Sequence, residues 1–306
     1  MSNGRRFQNG LHTVRGGKRG PSLSGAVLLR RIGFSGVALA TTLPIPVLAL
    51  SVSLLREAPP ARGTAGIAVN AECDRATGAG CEFHEFTFTR AIYSSPSRGR
   101  GGFRGGFGSW ATDYPKADLQ FAMVMQRLAQ HLDIAQTENA VRLDDPQLRR
   151  FPWLYAVEVG RMALTEAEVT GLRSYLAAGG FLFVDDFWGG RQWDQFEQNI
   201  RRVLPNLPIV DLPLSHPLFT SYYNITEILQ VPNVGNARWG ETTECYGCDP
   251  AVRAIFDEHG RLLVLISFNS DLGDAWEWAE QPFYPVKYST YAFQLAVNAI
   301  VYAMSH

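Results

Sequence analysis

TEAEVTGLRSYLAAGGFLFVDD, residues 165–186, decides the fold. Thr165 followed three residues later by Glu168 is a capping box, so a helix starts there and runs through Leu172, Leu176 and Ala177. Gly179-Gly180 ends it, because glycine accepts the left-handed backbone that closes a helix. Phe181 to Val184 then form an unbroken apolar run, which suits a strand covered on both faces.

The pattern extends in both directions. WLYAVEV at 153–159 reads as the preceding strand, and together the two strands and their helix form a βαβ unit. Downstream, a helix carrying Trp193, Phe196, Ile200 and Val203 leads through Pro205 to a short strand at Ile209 to Leu212. RAIFDEHGRLLVLISF, 253–268, reads as a hairpin turning at His259-Gly260, and the last helix, from about Ser289 to Met304, is apolar almost all round. Upstream, FTFTRAI (86–92) alternates as a first strand. Asp113 is placed to cap a helix with Pro115 in its first turn, burying Leu119, Ala122, Met123, Leu128 and Leu132 and ending near His131. Strands alternating with helices predict an α/β domain with a mostly parallel sheet, and in such sheets ligands gather beyond the carboxyl ends of the strands.

The chain has 306 residues, 46% hydrophobic and 19% charged, a composition that excludes disordered and fibrous classes. Its net charge of -1 gives no pull toward nucleic acid, and no nucleic-acid partner is expected. The charge is unevenly placed: residues 1–31 carry Arg5, Arg6, Arg15, Lys18, Arg19, Arg30 and Arg31 and no acid. An uncharged apolar run follows from Ile32 to Leu55, long enough to span a bilayer as a helix. Two readings stay open, a signal anchor or a cleaved signal peptide, the latter favoured by Pro44 and Pro46 and by the Val47/Ala49 small-residue spacing. Either way a basic leader (1–31), an apolar segment (32–55) and a Pro/Gly/Ala-rich linker (56–83) are expected to deliver a folded domain, 84–306, to the extracytoplasmic side of a membrane.

Cys73, Cys81, Cys245 and Cys248 are an even set in a chain expected in an oxidising compartment, so disulfides are the first reading, with 73–81 and 245–248 the pairing that needs no knowledge of the fold. A redox role for CYGC (245–248) ranks lower, because Pro250 and its neighbours read as loop rather than as a helix start after a strand.

Three loops lie where ligands gather. Trp110 and Asp113 follow the glycine-rich RGRGGFRGGFG segment; Asp185, Asp186 and Trp188 follow FLFV; Asp271, Asp274 and Trp276 follow LLVLISF. Two adjacent carboxylates split their pKa values and suit acid/base work or a metal, and His216 in LSHPLF is a candidate third member. Against this, neighbouring strand residues face opposite ways, and a histidine before proline commonly organises a turn. Carboxylates beside aromatics at 271–276 suit a sugar or a cation. No cofactor motif and no resident metal set is recognised.

WATDYPKAD, LRSYLAAGGFLFVDDFWGG and FNSDLGDAWEWAEQPFYPVKYSTYAFQLAVNAIVYAMSH together resemble the bacterial domain of unknown function numbered 4159. That resemblance, over roughly 84–306, implies a class I glutamine-amidotransferase-like or trehalose-utilisation-protein-like fold, a flavodoxin-like three-layer sandwich, and often an envelope location. It implies no activity. Amidotransferases place a nucleophilic cysteine on a strand-to-helix turn, whereas FLFV here is followed by Asp185, Asp186 and Phe187. The expectation is therefore a noncatalytic envelope module that binds a ligand, a glycan or a protein partner. The rival is a hydrolase using Asp185, Asp186 and His216, with or without a divalent metal.

Overall fold

The computed structural model describes residues 84–96 and 108–305. The basic leader, the apolar segment, the linker, Cys73, Cys81 and the glycine-rich loop at 97–107 lie outside the described residues. Seven strands form one sheet: β1 (Arg90–Ile92), β2 (Ala140–Arg142), β3 (Trp153–Val157), β4 (Phe181–Asp185), β5 (Ile209–Asp211), β6 (Ala251–Phe256) and β7 (Leu262–Phe268). Their order is β2-β1-β3-β4-β7-β6-β5. The first five in that order are parallel neighbours, and β6 is antiparallel to both β7 and β5, so β6 alone runs against the rest. The helices are α1 (Lys116–Leu128), α2 (Glu166–Ala177), α3 (Gly189–Val203), α4 (Val234–Trp239), α5 (Leu272–Glu277) and α6 (Val286–Ser305).

The central strands explain their own composition. Phe181 and Phe183 join a cluster with residues of α1, α5 and α6, while Leu182 and Val184 join one with residues of α2 and α3. β3 divides in the same way, Trp153, Tyr155 and Val157 to one face and Leu154 and Ala156 to the other. Two covered faces require apolar residues at every position, each contributing about 1.5–3 kcal/mol when fully buried. The result is the expected flavodoxin-like three-layer sandwich.

Thr165 and Glu168 form the expected capping box, each side chain bonding the other residue's backbone N–H. Gly180 is required by Tyr175, whose ring lies where any side chain would stand. The Tyr175 hydroxyl donates to Pro152 O at 2.9 Å and accepts from Phe181 N at 3.2 Å, which pins the start of β4 beside β3. The hairpin turns at His259-Gly260 as expected, Gly260 adopting φ 83°.

Three local expectations change. The 86–92 segment pairs as a strand only from Arg90, with Phe86 making an isolated bridge to Ile134. α1 is not capped by the Asp113 side chain; it starts after a cis Tyr114–Pro115 bond and stops at Leu128. Its buried face is Ala117, Asp118, Phe121, Ala122 and Met125, with Asp118 turned inward onto Arg90, and Met123 and Leu128 are exposed. β2, three residues long, carried too little periodicity to be recognised. Among the described residues no helix is long and apolar enough to cross a membrane.

Candidate acidic site at the carboxyl edge of the sheet

The central strands end alike. Glu158 follows β3, Asp186 follows β4 and Asn269 follows β7, and all three hold left-handed backbone at φ 54°, 53° and 57°. Asp113, in the segment after β1, does so at φ 61°. Non-glycine residues rarely adopt this conformation, and here it recurs at one edge of the sheet. Asp186 turns the chain out of β4 there, and its carboxyl lies within electrostatic reach of Asp185, Asp113 and Glu158.

Asp185 is the floor of that assembly. It is fully buried; its Oδ2 accepts from the Tyr155 hydroxyl at 3.0 Å and from the backbone N–H of Leu272 at 2.7 Å and Gly273 at 3.1 Å. Its Oδ1 is enclosed with no hydrogen bond of normal geometry. Burial pushes this carboxyl up to about 7, against the opposing pull of Tyr155, Ser267 and the Leu272 amide.

Asp186 and Asp271 lie above it, 6% and 4% exposed. The Trp188 indole donates to Asp186 Oδ1 at 3.0 Å, and Asp271 Oδ1 caps α5 by accepting from Asp274 N at 2.8 Å. The second oxygen of each accepts no hydrogen bond among the described residues. One oxygen each from Asp186, Asp271 and the exposed Glu244 lie within 4.8 Å of one another. A second trio, Asp113, Asp274 and Glu277, is equally close. Asp113 Oδ2 is enclosed and unpartnered, while Asp274 accepts from the Trp278 indole at 3.1 Å.

Burial first, then neighbouring carboxylates, holds these groups far above the usual carboxylate range: Asp186 next to Glu158, Asp271 next to Asp186, Asp113 next to Asp274. Burial raises Glu158, Asp274 and Glu277 as well. The nearest buried cation, Arg90, is already spent: it forms a two-pronged pair with Asp118 through Nε and Nη2, holds Thr112 O at 2.9 Å, and stacks 4.8 Å over the Tyr155 ring. Gly273 has no side chain because a methyl there would lie 2.4 Å from Asp113 Oδ2 and 3.1 Å from the Tyr155 hydroxyl oxygen. The assembly holds more like charge than its surroundings neutralise, so it keeps protons or takes up a cation.

Asp113, Asp185, Asp186, Asp271 and Asp274 thus converge, and His216 does not. The His216 ring packs on Phe256 and Tyr302, and its Nδ1 accepts from Leu218 N as a helix cap. Phe256 pairs with Leu262 at the amino end of β7, whereas Asp185 lies one step beyond Val184, which pairs with Ile266. At about 3.3 Å per residue the separation along the sheet is about 17 Å. The aromatics also differ from expectation. Trp276 is wholly enclosed among Phe88, Phe121 and Tyr155, Trp110 is 5% exposed against Tyr114, and Trp188 is spent on Asp186, so none offers an open face.

Cys245 and Cys248 form a disulfide with Cα atoms 5.7 Å apart. Neither follows a strand of the sheet. Arg90, Tyr155, Glu158, Glu244, Glu277 and Asn269 escaped the sequence reading. A charged or hydroxylated residue inside or just after an apolar strand run, as in FTFTRAI and WLYAVEV, was the available signal for the first three.

Fold and site together define a doubly wound α/β domain with a cluster of buried carboxylates at the carboxyl edge of its sheet, the edge where such sheets bind ligands. The chain belongs to the family described as domain of unknown function 4159, which matches residues 102–304. No curated protein matches it.

Proposed function

We propose that this domain is a noncatalytic binding module whose cleft at the carboxyl edge of the sheet takes a positively charged ligand, a divalent cation being the simplest. The observation that carries this reading is the buried pair Asp186 and Asp271, each of which brings one carboxylate oxygen within 4.8 Å of the other's and of one from Glu244. Oxygens that coordinate Ca2+ at 2.3–2.6 Å stand up to about 5 Å apart, which fits this trio. Glu244 is exposed and gives access from solvent. A cation is favoured over a bare sugar because Trp110, Trp188 and Trp276 have no free faces to stack on one.

The hydrolase alternative lacks this kind of support, since His216 is remote and Asp185 is enclosed. We place the module in the cell envelope, anchored or exported by the segment at 32–55 and facing an envelope protein or glycan partner there. The charge of residues 1–31 is the support for that placement. The amidotransferase-like fold that the family resemblance implies would come without the cysteine nucleophile.

Titration calorimetry of the full chain with Mn2+ and Ca2+ tests the cleft. Saturable binding that Asp186→Asn or Asp271→Asn weakens at least tenfold is expected; no binding by wild type at millimolar cation overturns the reading. A reporter fused after His306 tests placement, and activity of a cytoplasm-only reporter there would overturn it.

A further inference from the structure

We propose that Cys245–Cys248 is an exchangeable disulfide, opened by thiol or dithiol reductants, that sets Glu244 over the acidic cleft. The proposal rests on the cleft being the binding site. Sequence alone assigned this pair to a loop, away from any helix start. In the fold the loop lies against the first residue of α3: a methyl on Gly189 would stand 3.5 Å from Cys245 Sγ and 3.7 Å from Cys248 Sγ. α3 is 15 residues long, and its cap residue Trp188 makes no side-chain capping bond. Both sulfurs therefore lie beside the first turn of α3, whose positive end favours a departing thiolate, although the flanking Glu244 and Asp249 oppose it. Access is open, since Tyr246 between the cysteines is fully exposed and Gly247 turns the loop at φ 68°.

Glu244 is one peptide bond from Cys245. The far half of the loop is tied to the sheet by Asn269, whose Nδ2 donates to Asp249 O at 2.7 Å while its Oδ1 accepts from Gly189 N at 2.9 Å. The disulfide joins that half to the Glu244-bearing half, whose other ties are Asn233 Nδ2 donating to Glu244 Oε1, Asn236 Nδ2 to Thr243 O at 2.8 Å and Thr242 Oγ1 to Gln230 Oε1 at 2.9 Å. Reduction proceeds by attack of a reductant thiolate on one sulfur, giving a mixed disulfide and releasing the other cysteine as thiolate. A second reductant thiol then resolves it, so two thiols become one external disulfide, and their protons pass to Cys245 and Cys248.

The test uses the full chain equilibrated in reduced and oxidised dithiothreitol, with alkylation and peptide mass analysis separating this pair from Cys73 and Cys81. Mn2+ affinity is expected to fall about tenfold on reduction, the scale at which supporting contacts tune metal sites, and C245S/C248S is expected to match the reduced protein. Hydrogen exchange of the amides at 242–249, which needs no cation, is expected to rise on reduction. Affinities equal within twofold in both states, or unchanged exchange at 242–249, overturn the latch. If neither state binds Mn2+, the cleft reading falls instead, and the exchange measurement alone decides whether the disulfide orders the loop.

Discussion

Asp185→Asn isolates the physics of the cleft. The buried carboxyl titrates near 7 in the folded chain, against about 3.9 when unfolded. Because the folded state holds the proton more tightly, stability is complete below the unfolded value and is lost as pH rises toward the folded one. At 1.36 kcal/mol per pH unit the total loss is about 4 kcal/mol, of which about 3 falls between pH 5 and pH 8. Asparagine keeps an oxygen for the Leu272 and Gly273 amides but cannot ionise. Its NH2 group takes the place of the unpartnered Oδ1, which adds a constant cost of about 1–3 kcal/mol at every pH. The slope, and not the absolute stability, is therefore the readout. Urea unfolding at pH 5, 6, 7 and 8 is expected to give a wild-type curve falling about 3 kcal/mol further than that of Asp185→Asn. Parallel curves would refute the argument that burial holds Asp185 protonated.

Gly273→Ala forces a methyl against Asp113 and Tyr155 and outweighs the roughly 1 kcal/mol that alanine gains in a helix; a net loss of about 1–3 kcal/mol with weaker Mn2+ binding is expected by thermal melting and calorimetry. Arg90→Met strands a buried carboxylate and is expected to cost about 3–5 kcal/mol in urea unfolding, most of it recovered in R90M/D118L. Thr165→Ala removes one half of a capping box and is expected to cost about 1 kcal/mol while leaving cation binding unchanged.

Much of the fold was legible because its signals are local. Thr165 and Glu168, the glycine pair at 179–180 and the apolar runs at 181–184 and 262–268 each carry their own physical instruction. β2 and the early start of α6 were missed, since three paired residues have no period and Val286 is exposed at the helix end. The site was half legible. A rule about sheet edges nominated Asp113, Asp185, Asp186, Asp271 and Asp274, and the fold brings them together. It gave no means of seeing that Glu244 comes from a distant loop, that left-handed backbone at Asp186 turns the chain out of β4, or that Trp276 points into the core. His216 failed because proximity across a sheet depends on register, and its loop closes the opposite end.

Proton release on cation binding tests the central claim most directly. Asp186, Asp271 and Asp113 hold their protons far above the usual carboxylate range, yet a cation is ligated by carboxylates, so binding must displace protons. Calorimetric titration of the full chain with Mn2+ at pH 7.5, in two buffers of different ionisation enthalpy, reads that number. The account predicts saturable binding with at least about one proton released per cation. Binding with no proton release, or no binding at millimolar Mn2+, would contradict it.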